Sequence, residues 1–216
     1  SDDGRNWTQA KGIDINKVSP FTILQDRINP DRLYLGTNVG VFLSTDRGMS
    51  WNLIETPKPS KPAPIRKPTK RMTAAQRKAL EAANAAAALP KPVALKDRVR
   101  TLTYTEDDKN GLIAGTDKGL YRTYDITKGW EKIELGPGIS ESIFVVRTSP
   151  LLPGTIWVGT ANSGLIVSTD DGATWSKTNG IPAEVPISSI TVDPKRPNNI
   201  YVGTIQTLYL SRDGGR

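Results

Sequence analysis

Ser44-Thr-Asp-Arg-Gly-Met-Ser-Trp51 recurs as Ser168-Thr-Asp-Asp-Gly-Ala-Thr-Trp175, matched at almost every position. A third copy, Asp2-Asp-Gly-Arg-Asn-Trp7, opens the chain, and Ser211-Arg-Asp-Gly-Gly-Arg216 stops before its Trp. Thr123-Tyr-Asp-Ile-Thr-Lys-Gly-Trp130 keeps Asp and Trp five apart but puts Thr127 where the others have Gly. The aspartates Asp2, Asp46, Asp125, Asp170 and Asp213 are spaced by 44, 79, 45 and 43 residues. One unit is therefore about 44 residues, and one unit carries an insertion.

Working outward, each box follows a hydrophobic run: Val41-Phe-Leu-Ser44, Leu120-Tyr-Arg-Thr123, Leu165-Ile-Val-Ser168 or Leu208-Tyr-Leu-Ser211. Before that comes a run ending in Gly-Thr: Leu33 to Thr37, Leu112 to Thr116, Ile156 to Thr160, Ile200 to Thr204. Further upstream lie Phe21 to Leu24, Val99 to Tyr104, Ile143 to Val146 and Ile187 to Val192. Such short β-branched and aromatic runs bounded by Gly and Pro read as strands. With the Trp-led segment after each box, every unit offers four. Four antiparallel strands per 40 to 45 residues is the signature of a propeller blade.

The expected fold is all-β, a β-propeller of about four four-stranded antiparallel blades and part of a larger propeller. One Pro/Lys/Ala-rich interblade insertion contains a short helix. The boundaries follow: residues 1–56 hold the outer strand of one blade and a full blade, 57–97 the insertion, and 98–216 two full blades and three strands of another. Closing the ring with the strand around Trp7 would give a four-bladed propeller; the larger propeller is the favoured reading, and open sheet edges could pair two copies. The box residues have structural work. Asp accepts turn N–H groups, Gly takes positive φ and Trp packs between sheets. This applies to Asp2, Gly4, Trp7, Asp46, Gly48, Trp51, Asp125, Trp130, Asp170, Gly172, Trp175, Asp213 and Gly215.

The boxes at 44–51 and 168–175, with the Gly-Thr strand ends, resemble the Asp-box (BNR repeat) propellers. That superfamily includes sialidases, xyloglucan-type hydrolases, sortilin-like receptors and a photosystem II assembly factor. Val192-Asp-Pro-Lys-Arg-Pro-Asn-Asn-Ile-Tyr-Val-Gly-Thr204 is similar to bacterial sortilin-like and BNR-repeat proteins in particular. The resemblance implies that the boxes sit opposite the binding face. It assigns that face the loops Thr37–Gly40, Thr116–Gly119, Thr160–Gly164 and Thr204–Thr207, with the interblade connections at about 9–18, 56–98, 135–142 and 179–186. It also implies a secreted or periplasmic protein.

The chain has 216 residues, 37% hydrophobic and 24% charged, and lacks Cys and His altogether. Disulfides, thiolate or imidazole metal sites and Cys/His nucleophile pairs are excluded. Nothing calls for a cofactor or a metal. The net charge of +7 is local: residues 57–98 hold eleven Lys or Arg against Glu81 and Asp97, and the remainder is slightly acidic. Pro57, Pro59, Pro62, Pro64 and Pro68 favour extended chain. Thr73 then caps a helix over about 74–89, rich in Ala, Gln, Lys, Arg and Glu, ended by Pro90 and Pro92. This basic arm suits an anionic protein or glycan; without aromatic residues for base stacking it speaks against nucleic acid. The alternative is a solvated connection without a specific role.

Candidate ligand-binding residues are Asn38, Asp117, Asn162 and Gln206 on the loops and Lys67, Lys70 and Arg71 on the arm. A glycosidase needs two carboxyl groups across a sugar, about 5 to 9.5 Å apart. The expected binding face offers Asp14, Asp117, Glu141 and Glu184; Asp117, Glu141 and Glu184 are the weak catalytic candidates. The arginine cluster and early Arg-Ile-Pro motif of sialidases cannot be placed, and xyloglucanases join two propellers where this chain supplies at most one. Glu106-Asp-Asp-Lys-Asn-Gly111 is oxygen-rich but lacks spaced calcium ligands and reads as a polar hairpin turn. The chain thus reads as a noncatalytic interaction module binding protein or glycan through its loop face, with a portion of a carbohydrate-active hydrolase as the alternative.

Overall fold

The computed structural model describes residues 4–55, 67, 69, 72–88 and 92–215. Sheet 1 is β1 (Pro20–Gln25), β2 (Leu33–Thr37), β3 (Gly40–Ser44) and β4 (Asn52–Leu53). The helix α1 (Ala74–Ala88) follows, then sheet 2 of β5 (Val99–Tyr104), β6 (Leu112–Thr116), β7 (Gly119–Thr123) and β8 (Glu131–Ile133). Sheet 3 is β9 (Ile143–Thr148), β10 (Ile156–Thr160), β11 (Leu165–Ser168) and β12 (Ser176–Lys177), and sheet 4 is β13 (Ile187–Val192), β14 (Ile200–Thr204) and β15 (Leu208–Ser211). Every pairing is antiparallel between sequence neighbours. All first-to-second and third-to-fourth strand turns therefore share one end of the sheets. The second-to-third turns and the connections between sheets share the other.

The first strands β1, β5, β9 and β13 pack side by side in that order, so the sheets fan around a common axis. What lets them approach is the Gly of each Gly-Thr strand end. A methyl group at Gly36 would lie 2.8 Å from the Val99 carbonyl oxygen, and one at Gly115 2.6 Å from Ile143 Cγ2. At Gly159 it would lie 2.6 Å from Ile187 Cγ2. Val99, Ile143 and Ile187 open the next sheet's first strand and are fully buried. Each glycine is a socket for the following sheet.

Three apolar layers result. Tyr34, Val41, Leu102 and Trp130 lie between sheets 1 and 2; Ile113, Ile133, Val146 and Ile166 between 2 and 3; Trp157, Val167, Ile190 and Val202 between 3 and 4. Fully burying one such aliphatic side chain is worth about 1.5–3 kcal/mol, enough to make the junctions the main source of cohesion. The face of sheet 4 that would meet a further sheet leaves Tyr201, Leu208 and Leu210 exposed. Its socket, Gly203, has only Ser188 and Ser189 as nearest neighbours.

The two intact boxes share one hydrogen-bond pattern. Asp46 Oδ1 accepts from the Ser50 N–H at 2.9 Å and Oδ2 from the Ser50 hydroxyl at 2.5 Å. Ser44 Oγ donates to Asp46 Oδ1 and accepts from the Gly48 N–H at 2.9 Å. Asp170, Thr174, Ser168 and Gly172 repeat these bonds. Gly48 and Gly172 both sit at φ 86°, where a side chain would be strained. The Trp51 and Trp175 indoles donate to the Gly48 and Gly172 carbonyls at 3.0 and 3.2 Å. The hydroxyl bonds, first that of Ser50 or Thr174, hold the Asp46 and Asp170 carboxyls at a pKa of about 2.

The Trp7 segment differs from expectation. Trp7 is 89% exposed and residues 4–10 form no strand. Among the described residues no sheet lies beyond it to bury the ring. The chain instead turns at Gly12, bridges Lys11 to Ser50, and covers Leu35, Phe42 and Trp51 of sheet 1 with Ala10, Ile13 and Val18. The described first copy thus neither supplies a fourth strand to sheet 4 nor closes a ring. In the insertion, Thr73 and Gln76 cap α1 reciprocally, N–H to side chain, at 2.9 and 3.3 Å. Asp2, Lys70, Arg71 and the expected polyproline stretch up to Arg66 lie outside the described residues.

Candidate functional site

At the end opposite the boxes, each first strand carries a bulge at the same step. Its second residue, Phe21, Arg100, Phe144 or Ser188, has no partner on the neighbouring strand. A bulge re-aims the extra side chain and recurs beside functional sites. Here it lines up one column across four adjacent strands. The Arg100 guanidinium lies 4.6 Å from the centroid of the Phe144 ring on β9. Arg98, just before β5, lies 5.2 Å from that of Phe21 on β1. Both separations are within cation–π reach.

Asp117 holds this pair of arginines. Its Oδ1 is 2.5 Å from Arg100 Nε and its Oδ2 is 3.6 Å from Arg98 Nη1, while its own N–H donates to the Arg98 carbonyl. The turn that carries it is fixed by Thr116, whose hydroxyl donates to the Gly119 carbonyl and accepts from the Lys118 N–H. Lys118 reaches Asp97 at 2.7 Å, a bond that raises the lysine's pKa. The arginine side chains remain 43% and 27% exposed and Phe21 43% exposed, so the cluster is prearranged yet open to solvent. Two guanidinium groups against one carboxylate leave it net positive. Its planar cations and rings suit stacking and hydrogen bonding to a ligand, not proton transfer.

The other expected residues are dispersed. Glu141 pairs with Lys132, which raises the lysine's pKa, and so faces a cation instead of a second carboxylate. Glu184 is exposed on the connection between sheets 3 and 4. Asp14 caps its own turn and pairs with Lys17. Asn38 clamps the connection into β1: its carbonyl oxygen accepts from the Ser19 N–H at 2.7 Å and its amide donates to the Lys17 carbonyl at 3.0 Å. Asn162, Gln206 and Lys67 are exposed. Glu106 leaves its turn to form a bidentate pair with Arg27, and Asp107 caps the turn. Among the described residues no group of three or more acidic side chains is placed to hold a metal ion.

Sequence reasoning passed over Phe21, Arg100 and Phe144. The signal was available, because aligning the four first strands puts Phe21, Arg100, Phe144 and Ser188 in one column.

Solved structures place this architecture. An ancestral GH74 enzyme superposes with a TM-score of 0.62 at 17% identity, covering 91% of this chain and 23% of that one. The fold is a β-propeller. The extracellular domain of a putative hybrid two-component system from B. thetaiotaomicron fits the propeller at TM-score 0.60 and 18% identity over 94% of this chain and 23% of its own. YCF48 bound to D1 peptide fits at 0.54 and 16% identity over 99% and 56%. No family model matches. A probable oligoxyloglucan-reducing end-specific xyloglucanase of Neosartorya fischeri is 28% identical over 120 residues, 52% of this chain and 14% of the relative. The corresponding Emericella nidulans enzyme gives 28% over 121 residues, again 14% of its length. The chain therefore spans a small part of the curated relatives it matches. Among the described residues no helix is long and apolar enough to cross a membrane.

Proposed function

We propose that this propeller segment is a noncatalytic, glycan-binding module of the Asp-box, sortilin-like type, working outside the cytoplasm. The observation that carries the proposal is the Asp117-held pair Arg98 and Arg100 between Phe21 and Phe144. The rings offer apolar faces to sugar C–H groups, and the guanidinium forks suit acidic substituents on the glycan. The basic sequence over residues 57–98, which includes Lys67, Lys70 and Arg71, adds salt-sensitive attraction over about 10 Å. Similarity to xyloglucan-acting enzymes supports a saccharide ligand, and the extracellular neighbour supports the location. Asp117, Glu141 and Glu184 have no catalytic role in this reading.

The test is affinity electrophoresis through gels containing neutral xyloglucan or an acidic polyuronate. Retardation of the wild type, weakened in Arg100→Ala and Phe144→Ala, is expected; unretarded migration in both gels refutes the reading. A second reading, part of a glycoside hydrolase, is favoured by the same xyloglucanase similarity. Release of reducing ends from the polysaccharides, abolished by Asp117→Ala, would establish it instead.

A further inference from the structure

A cavity of about 380 Å³ opens on the box end between blades 1 and 2, remote from the arginine cluster. It falls in the size range of small-molecule clefts. Both walls come from blades whose mutual packing is complete, since Tyr34, Leu102, Tyr104, Leu112 and Trp130 form one buried cluster at this junction.

The repeat departs from its pattern at this junction. At the junction of blades 3 and 4 the second residue of the second strand is Trp157. Its fully buried indole crosses to the next box and donates to the Gly214 carbonyl at 2.9 Å, plugging the space. Tyr34 holds the same place in blade 1 and is smaller. Its hydroxyl turns back to Asp26 of its own blade at 3.0 Å. The facing box is the irregular one, with Ile126 and Thr127 in place of Arg-Gly, and both residues line the opening. Two departures, one from each blade, meet at this opening.

The lining is chemically specific. The Tyr104 ring forms a wall, with the Arg27 guanidinium stacked 4.2 Å from its centroid and locked by two hydrogen bonds to Glu106. Tyr124, 42% exposed, is steered by a 2.7 Å bond from its hydroxyl to Asp107. Asn110 sits at φ 51°, and its side-chain amide has no partner among the described residues. Asp26 and Asp125 supply acceptor oxygens and Arg32 donors. Arg27 is neutralised by Glu106, Arg32 lies 3.7 Å from Asp26, and Lys128 pairs with Asp125 at 3.1 Å. The site is charge-balanced, rich in donors and acceptors, and walled by aromatic rings. That chemistry recognises an uncharged polyhydroxylated ring, because an ion would break one of the pairs.

We propose that this cavity binds one neutral pyranose unit, stacked on the exposed Tyr124 ring and hydrogen-bonded by Asn110, Arg32 and the carboxylates. It is a sugar site separate from the loop face.

The probes are xylose, glucose, galactose and cello-oligosaccharides, followed by saturation-transfer NMR and calorimetry on the intact chain. Binding of at least one probe is expected, weakened about tenfold or more by Asn110→Gly, the size of losing one or two hydrogen bonds to a ligand. This variant keeps the left-handed backbone unstrained, so an unchanged melting curve should accompany the loss. Tyr124→Ala should weaken binding similarly and Arg100→Ala leave it intact, which separates this site from the loop face. Absence of binding for every probe at about 10 mM overturns the proposal, because even a weak sugar site has a Kd near the millimolar range. So does binding unaffected by both cavity variants, or lost in Arg100→Ala.

Discussion

Gly159→Ala tests the socket mechanism most directly. Gly159 has no left-handed φ, so alanine meets no backbone penalty of its own. Its methyl group would sit 2.6 Å from Ile187 Cγ2 and Val145 Cγ1 and 2.7 Å from Ile187 Cβ. The Cβ cannot swing away, and Ile187 is fully buried. Overpacking of this kind costs about 1–3 kcal/mol, while the stiffer unfolded chain returns about 0.4–1 kcal/mol. A net loss of roughly 1–2 kcal/mol remains, or about 2–8 °C in melting temperature for a chain of this size. Gly203→Ala is the internal control. It meets the rotatable Ser189 hydroxyl at 2.3 Å and no side chain of a following blade among its nearest atoms. It should be neutral or slightly stabilising. Urea denaturation followed by circular dichroism measures both, and a double-mutant cycle adds Ile187→Ala. That truncation should cost at least about 1 kcal/mol less in the Gly159→Ala background, because it relieves the clash. Equal destabilisation at Gly159 and Gly203, or zero coupling to Ile187, would refute the reasoning.

Asp46 and Asp170 ionise at about 2, below the ordinary 3.8, so the unfolded chain binds more protons as pH falls through this range. Their stabilisation should be complete above about pH 4–5 and lost towards pH 2, giving a urea midpoint that falls across that window and a flatter profile in Asp46→Asn/Asp170→Asn. Asp117→Ala frees both arginines and should weaken polyuronate retention about tenfold with little change in melting temperature, whereas an unchanged retention would remove Asp117 from the site. Leu208→Lys with Leu210→Lys places charge on the exposed face of blade 4. Any concentration-dependent self-association seen by light scattering should disappear, and its persistence would put the contact elsewhere.

The scaffold was legible in the sequence for a local reason. A box works through bonds among residues no more than four apart in sequence, such as Ser44, Asp46, Gly48 and Ser50, so the structure is written in adjacent letters. The Gly-Thr ends are equally readable, although their purpose is not. Nothing near Gly159 in sequence announces that Ile187 fills its place. Trp7 shows the limit of the local rule, since its motif is present but the ring is exposed. Packing between blades needs a neighbour that no single motif encodes. The same limit hid the candidate site, where Phe21, Arg98, Arg100, Asp117 and Phe144 converge from three blades' strands and turns.

The repeat separates two kinds of position, and the separation points to where specificity resides. Where a column is uniform and its partner is in place, as at Asp46 and Asp170 or at Gly36, Gly115 and Gly159, the same bonds or the same close approach recur. Such columns cannot vary without loosening a turn or a junction. The bulge column carries Phe, Arg, Phe and Ser with no cost to the strand pairing beside it, because a bulged residue has no cross-strand partner to satisfy. The second position of the second strand is core and yet varies: Tyr34, Ile113 and Trp157 all stay buried between sheets, but Trp157 reaches the next box whereas Tyr34 turns back to Asp26. The bulge column is therefore where the fold leaves side-chain chemistry freest. In this chain that column supplies Phe21, Arg100 and Phe144 to the arginine–phenylalanine cluster, while Tyr34, a core position, lines the cavity at the other end.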